Sequence, residues 1–328
     1  MNYIKILCVL LVGSFILLFA SCEAEKKTTI IKLGHGLDIT HPVHKGMMFM
    51  AKRLKEKSAG SMQIDIYPNQ QLGSERECLE LLQIGSLGMT KVSTAIMGNF
   101  ASELKVFGLP FLFRDRDHRF AVIGGKIGEK LLNASLDKRL KGLTFYDAGS
   151  RSFYSKTPIK GPEDLEGLKL RVMESQTAIQ MVKLLGGSPT PISSGELYTA
   201  LQQGIVDGAE NNPPTFYLTR DYEVCKYYIL DEHTAIPDEL VIGTPLWNKL
   251  TKQEQEWLKE AAVESTEYQK EIWRKAELHA LEEVKKAGVT VFEAKKDEFK
   301  ELVKPMYVEF ALDPKMEILI EEIQNTEQ

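Results

Sequence analysis

The run Leu201 to Tyr217, LQQGIVDGAENNPPTFY, brings two carboxylates, Asp207 and Glu210, and two amides, Asn211 and Asn212, into one short stretch. A close carboxylate pair suits general acid–base work, and an amide that donates and accepts suits a hydroxylated ligand or a carboxylate oxygen. Neither a metal motif nor a partner histidine lies nearby in sequence, so Asp207 and Glu210 are expected to shape a turn or support a site rather than to catalyse. Arginine offers the second chemistry. Arg171 falls in the apolar run Leu168 to Met173, and Arg151 follows the run Leu143 to Asp147. Two parallel guanidinium N–H donors match the two oxygens of a carboxylate, so arginines at neighbouring strand ends make an anion clamp. Pairing with a neighbouring carboxylate such as Asp147 or Glu174 is the plainer alternative.

Histidine chemistry is weaker. His35, Asp38, His41 and His44 lie close together, but Pro42 interrupts them and no H-E-x-x-H or paired-cysteine motif accompanies them, so no metal site is expected. His35, at the end of a first strand, is expected to face a cleft. No glycine-rich phosphate loop and no G-x-S-x-G elbow occurs, which argues against a nucleotide enzyme or a serine hydrolase. A formal charge of −5 without a basic, aromatic-interleaved patch argues against nucleic acid.

The elements that must position these groups read as an α/β chain large enough for two cores. Thr28 to Leu33 and Met62 to Tyr67 are strand-like, and a helical face of Val43, Met47, Met50, Ala51 and Leu54 lies between them. Ser74 and Glu77 have capping-box spacing for a helix running to Ile84, Gly85 stops it, and Leu87 to Val92 give the next strand. A further helix is expected from Gly128 to Leu140. At a constant offset of 119 residues, Ser193, Glu196, Leu201, Gln202, Gly204 and Val206 repeat Ser74, Glu77, Leu82, Gln83, Gly85 and Leu87. This predicts two similarly built lobes, each with its own capping box, helix and strand. A third box at Thr251 and Glu254 opens a helix running to Gly288, about 50 Å long and therefore long enough to bridge both lobes.

Met1 to Lys5 carry a positive charge and Ile6 to Phe19 are apolar but short for a membrane span, so residues 1–21 read as a secretory signal. Leu18-Phe19-Ala20-Ser21-Cys22 resembles a lipobox, making Cys22 the expected lipidation site and residues 22–27 a charged tether. A secreted protein in which Cys22 is incidental is the alternative. Cys78 and Cys225 are expected to be buried free thiols, and the chain past the anchor to be soluble.

The runs Tyr67 to Gly73, Gly108 to Phe111, Gly167 to Val172, Ser188 to Pro191 and Val206 to Asn211 together resemble the extracytoplasmic solute-binding proteins of TRAP transporters, the DctP type. The resemblance covers essentially the whole mature chain. It implies a two-lobed, periplasmic-binding-protein-like clamshell, with residues 28–148 plus 237–276 in lobe one and 149–236 plus 277–328 in lobe two. It places the carboxylate-binding arginine at Arg171, a second at Arg151, the site asparagine at Asn211 with Asn212 beside it, and a ligand-contacting acid at Glu75. Ser93 and Ser194 stand where sialic-acid binders carry glutamate and phenylalanine, which disfavours sialic acid. The run Tyr222 to Tyr228 and Glu232-His233-Thr234 are similar to the branch that takes sugar acids, above all hexuronates such as glucuronate and galacturonate. The implied protein is a periplasmic, lipid-anchored monomer without cofactor, metal or catalytic residues, delivering its ligand to membrane permease subunits. A secreted hydrolase or lyase of uronate polymers, and a ligand-sensing module of a membrane receptor, are the alternatives.

Overall fold

The computed structural model describes residues 28–327, so the signal, the lipobox with Cys22 and the tether lie outside the described residues. Two twisted sheets hold the fold. The first has the order β2-β1-β3-β10-β4, from β1 (Thr29–Gly34), β2 (Met62–Tyr67), β3 (Met89–Ser93), β4 (Leu140–Tyr146) and β10 (Asp238–Gly243). The second has the order β11-β9-β5-β8-β6-β7, from β5 (Ser152–Ser155), β6 (Lys169–Val172), β7 (Ser188–Pro191), β8 (Gly208–Asn211), β9 (Tyr227–Leu230) and β11 (Thr290–Glu293). In each sheet the helical crossovers make neighbours parallel, and one returning strand, β10 or β5, runs antiparallel beside the central strand.

The internal repeat is visible in this topology. β3 and β8 begin 119 residues apart, each between a parallel and an antiparallel neighbour. Gly85 and Gly204 end the preceding helices in the left-handed region, at φ 81° and 74°. The capping boxes differ. Ser74 and Glu77 form a complete box, whereas Ser193 leads into a 3-10 turn, Ser194–Glu196, and its hydroxyl bonds Glu196 at 2.7 Å without capping a backbone N–H. The helix behind it is accordingly shorter, Leu197–Gln202 against Glu75–Ile84. Two short helices, Arg116–Gly124 and Lys126–Leu132, replace the single helix expected to begin at Gly128, and residues from Leu140 join β4.

The helix Lys252–Lys286, opened by the Thr251–Glu254 box, packs on helix Pro42–Lys57 beside the first sheet and on helix Pro213–Leu218 beside the second. It also holds the chain where it leaves β4. The Gln269 amide accepts from Asp147 N at 3.0 Å and donates to Asp147 O at 2.8 Å. Gly149 follows at φ 62°, against the fully buried Trp273. The two chains crossing between sheets pair there, Arg151 N donating to Thr234 O at 2.7 Å. One apolar cluster is continuous from the first sheet (Phe145) and the 3-10 segment Ser102–Gly108 beside it (Phe107) to the second sheet (Phe153, Val172) and the C-terminal helix Lys296–Phe310 (Phe299, Val303). Cys78 and Cys225 are buried and free. No helix among the described residues is long and apolar enough to cross a membrane.

Candidate functional site

Between the sheets lies a cavity of about 790 Å³ of empty space, open solvent at its mouth included. Glu75, Ser93, Arg151, Arg171 and Asn211 all line it. Arg171 sits near the carboxyl end of β6, only 3% exposed. Its Nε donates to Ile192 O at 2.8 Å, and no described carboxylate forms an ion pair with it. Burial lowers its pKa from the ordinary arginine value, Glu210 partly offsetting and Arg151 adding to the fall. A buried guanidinium with its outer nitrogens uncommitted needs an anion.

Arg151 is placed differently. Its partner is Glu210, neither Asp147 nor Glu174. Nε and Nη2 engage the two Glu210 oxygens in a fork, the second at 2.9 Å, and Nη2 also donates to Glu210 O at 2.7 Å. Nη1 donates to Asn211 Oδ1 at 2.9 Å. Burial would raise the Glu210 carboxyl, but Arg151 and His233 outweigh it and hold it at about 2. Behind Glu210, His233 Nδ1 lies 2.6 Å from Asp231 Oδ2, and its Nε2 lies 3.5 Å from Glu210 Oε2. Burial opposes the imidazolium, yet Asp231 and Glu210 raise His233 to about 9. Glu210 is thus an ionised support for Arg151. Asp207 forms a long-range tie and not a turn: its Oδ2 accepts Lys169 N at 2.9 Å, at the start of β6.

Asn211 ends β8, and Oδ1 is consumed by Arg151 Nη1 and by Asn212 N at 2.9 Å. That fixes the amide and leaves Nδ2 as a donor toward the cavity. Asn212 is not on the cavity wall: its side chain caps helix Pro213–Leu218, accepting Thr215 N at 2.8 Å. His35 is not there either. Its Nδ1 accepts Leu37 N and its Nε2 meets His44 Nδ1, both at 3.0 Å, so the ring turns into the lobe. The cavity histidine is His41, whose Nδ1 accepts Val43 N at 3.2 Å, leaving Nε2–H toward the Thr215 hydroxyl at 3.3 Å. Burial and then the charge of Lys91 lower His41 to about 3, so the ring is neutral.

The opposite wall carries groups that residue patterning missed. Lys91, in the fully buried strand β3, donates to Glu75 Oε1 at 2.6 Å and to Asp238 Oδ1 at 3.3 Å. Burial disfavours its ammonium, but Asp238 and Glu75 outweigh that and raise its pKa. Burial also raises the Asp238 carboxyl, with Lys91 opposing. Glu75 Oε2 accepts Ser93 N at 3.1 Å, and Ser93 Oγ accepts Ala95 N at 3.4 Å. The one legible signal was a lone lysine inside an apolar strand. Gln70 completes the wall from a turn in which both Asn69 and Gln70 have positive φ, and a Cβ on Gly195 would stand 2.4 Å from Gln70 Oε1. The lobes also touch where Asn99 Nδ2 donates to Glu174 O at 2.7 Å.

Two α/β lobes joined by crossing chains, with a polar cleft between them holding an unpaired arginine, define a clamshell solute-binding protein. The chain matches DctP, described as bacterial extracellular solute-binding protein, family 7, over residues 33–313, and it belongs to that family. It is 40% identical to the protein YiiZ of Salmonella typhimurium, over 90% of this chain and 91% of the relative. Its structure is similar to that of a TRAP periplasmic solute-binding protein of Xanthobacter autotrophicus with bound β-D-galacturonate, at 37% identity and a TM-score of 0.89, covering 90% of this chain and 100% of the other. It is likewise similar to one of Roseobacter denitrificans with bound β-D-glucuronate, at 34% identity and a TM-score of 0.88, covering 91% and 100%. The chain is a TRAP-type extracytoplasmic solute-binding protein, a class that works with membrane permease subunits.

Proposed function

We propose that this protein binds a hexuronate, galacturonate or glucuronate, and hands it to the permease without chemical change. The observation that carries the reading is Arg171, a buried guanidinium in the cleft that forms no ion pair with a carboxylate among the described residues. In the proposed complex the ligand carboxylate pairs with Arg171, Arg151 lends field and orients Asn211, and Asn211 Nδ2 donates to a carboxylate or ring oxygen. Glu75 and Ser93 meet hydroxyls from the other lobe, while His35 and Asn212 act through the segments they hold. The hexuronates bound by the similar Xanthobacter and Roseobacter proteins support the ligand class. Binding without turnover is supported by Glu210, which is tied to Arg151 and has no proton to give.

Residues 28–148 plus 237–276 serve as one closing lobe and 149–236 plus 277–328 as the other, in a monomer held to the membrane by lipid on Cys22. The lipobox spacing supports the anchor, and Cys22→Ser would release the protein from washed membranes. The central test is calorimetry of Arg171→Ala with galacturonate and glucuronate. The expected loss is about 2 to 5 kcal/mol, the cost of stranding a desolvated carboxylate. Unchanged affinity would refute the clamp, and new reducing ends from oligogalacturonides would refute binding without turnover.

A further inference from the structure

The two walls of the cleft are unequally charged. On the Arg171 wall, Arg151 is neutralised by Glu210, His233 lies between Asp231 and Glu210, and the carboxylate Glu174 stands at the exposed rim, so among the buried described groups Arg171 is the cation without an ion-pair partner. On the facing wall the balance reverses, because Lys91 is one ammonium serving two carboxylates, Glu75 and Asp238. All three line the cavity, and Lys91 and Asp238 are buried while Glu75 is partly open, so solvent screens this imbalance less than it would at the surface. The hydrogen-bonding capacity points the same way. Among the described residues, Lys91 Nζ has three protons and two side-chain partners, and no donor is seen at Asp238 Oδ2. Such a pairing of carboxylate and ammonium suits hydroxyl groups, which donate to the one and accept from the other.

We propose that the Glu75–Lys91–Asp238 cluster is the specificity filter of this site, taking the neutral hydroxylated end of a sugar acid and rejecting any ligand that carries a carboxylate at that end as well. The inference rests on Arg171 holding the first carboxylate, as proposed above. With that end fixed, a second carboxylate would lie against the wall with surplus negative charge. Repulsion between desolvated like charges then selects against aldarates and other dicarboxylates, while a pyranose hydroxyl completes the unused hydrogen bonds. Discrimination thus comes from a repulsive element on one lobe and an attractive one on the other.

The test compares galacturonate with galactarate, the six-carbon acid with a carboxylate at each end, and with galactarate monoamide, which keeps the shape of galactarate and removes one charge. Calorimetry on the wild-type protein is expected to show the monoamide binding at least about tenfold tighter than galactarate. In Glu75→Gln and in Asp238→Asn the galacturonate-to-galactarate affinity ratio should narrow by about tenfold or more, a readout that cancels any general loss of affinity. Equal binding of monoamide and galactarate by wild type overturns the filter, as does an unchanged ratio in both folded variants. Failure of wild type to bind galacturonate or glucuronate would instead overturn the hexuronate reading itself.

Discussion

Lys91 and Glu210 occupy equivalent places in the two halves of the molecule, 119 residues apart on the central strands β3 and β8, and carry opposite charges. Each is buried in a strand bounded by a parallel and an antiparallel neighbour, and each is held by two partners of the other sign, Glu75 and Asp238 for Lys91, Arg151 and His233 for Glu210. One architecture, used twice with the charges exchanged, gives a cleft whose walls attract different ends of an asymmetric ligand. A buried charge so placed has a large desolvation cost that only its partners offset.

Removing Glu210 should therefore damage stability and binding together. Glu210→Gln leaves Arg151 buried without its carboxylate and His233 with one acid instead of two. The expected loss is about 3 to 5 kcal/mol of folding stability by urea unfolding, as for any buried pair broken on one side. Affinity for galacturonate should fall as well, because Asn211 loses the oriented Arg151 donor that fixes its amide.

The same network sets a pH window. His233 is raised from 6.5 to about 9 in the folded protein, so its contribution is complete below pH 6.5 and disappears as pH rises through about 9. Glu210 is depressed from 4.5 to about 2, so its contribution is complete above pH 4.5 and disappears as pH falls toward about 2. The alkaline loss amounts to about 3 kcal/mol at the usual 1.4 kcal/mol per pKa unit. Urea unfolding from pH 6 to 10 should show the decline in wild type and a flatter profile in His233→Gln.

Much of this arrangement was legible in the residues. Arg171 stood out because guanidinium inside an apolar strand demands an anion, and the 119-residue repeat revealed paired lobes because caps and glycine stops are local chemistry. Resemblance, not patterning, singled out Glu75. What stayed hidden was tertiary. Whether Arg151 meets Asp147, Glu174 or Glu210 depends on which strands become neighbours, and β8 pairs with β5 only through a long-range connection. His35 follows a strand end and His41 caps a helix, each ring accepting a backbone N–H, and what separates them is the long-range partner of Nε2, His44 for His35 and Thr215 for His41. Asp238 begins a strand that enters the first sheet after the chain has built most of the second, so its meeting with Lys91 has no local trace.

Glu239 should be a net burden on stability. It is 0% exposed in β10, both its carboxyl oxygens lack a partner, and burial raises its pKa well above the ordinary value. Since the folded value lies above the unfolded one, its penalty is absent below pH 4.5 and grows as pH rises toward the folded pKa. Glu239→Met, similar in volume and without polar atoms, is expected to raise stability at pH 7 by about 1 to 3 kcal/mol. A stability difference between variant and wild type that is present at pH 7 and shrinks toward pH 4 would identify the acid as the cause, because the other titrating groups are common to both proteins.

Closure can be weakened without touching the clamp. Asn99 Nδ2 reaches across to Glu174 O at 2.7 Å, in an exposed setting where each lobe keeps its own fold if the bond is lost. Asn99→Ala removes one neutral hydrogen bond formed between the lobes, worth about 1 kcal/mol, or roughly fivefold in ligand affinity. The change should lie in the release rate, because the bond exists after the lobes have met and does not steer their approach. Stopped-flow dissociation of galacturonate should be about fivefold faster, with the association rate and the unfolding midpoint of the ligand-free protein unchanged. A slowed association with unaltered release would mean that Asn99 acts in the open form instead.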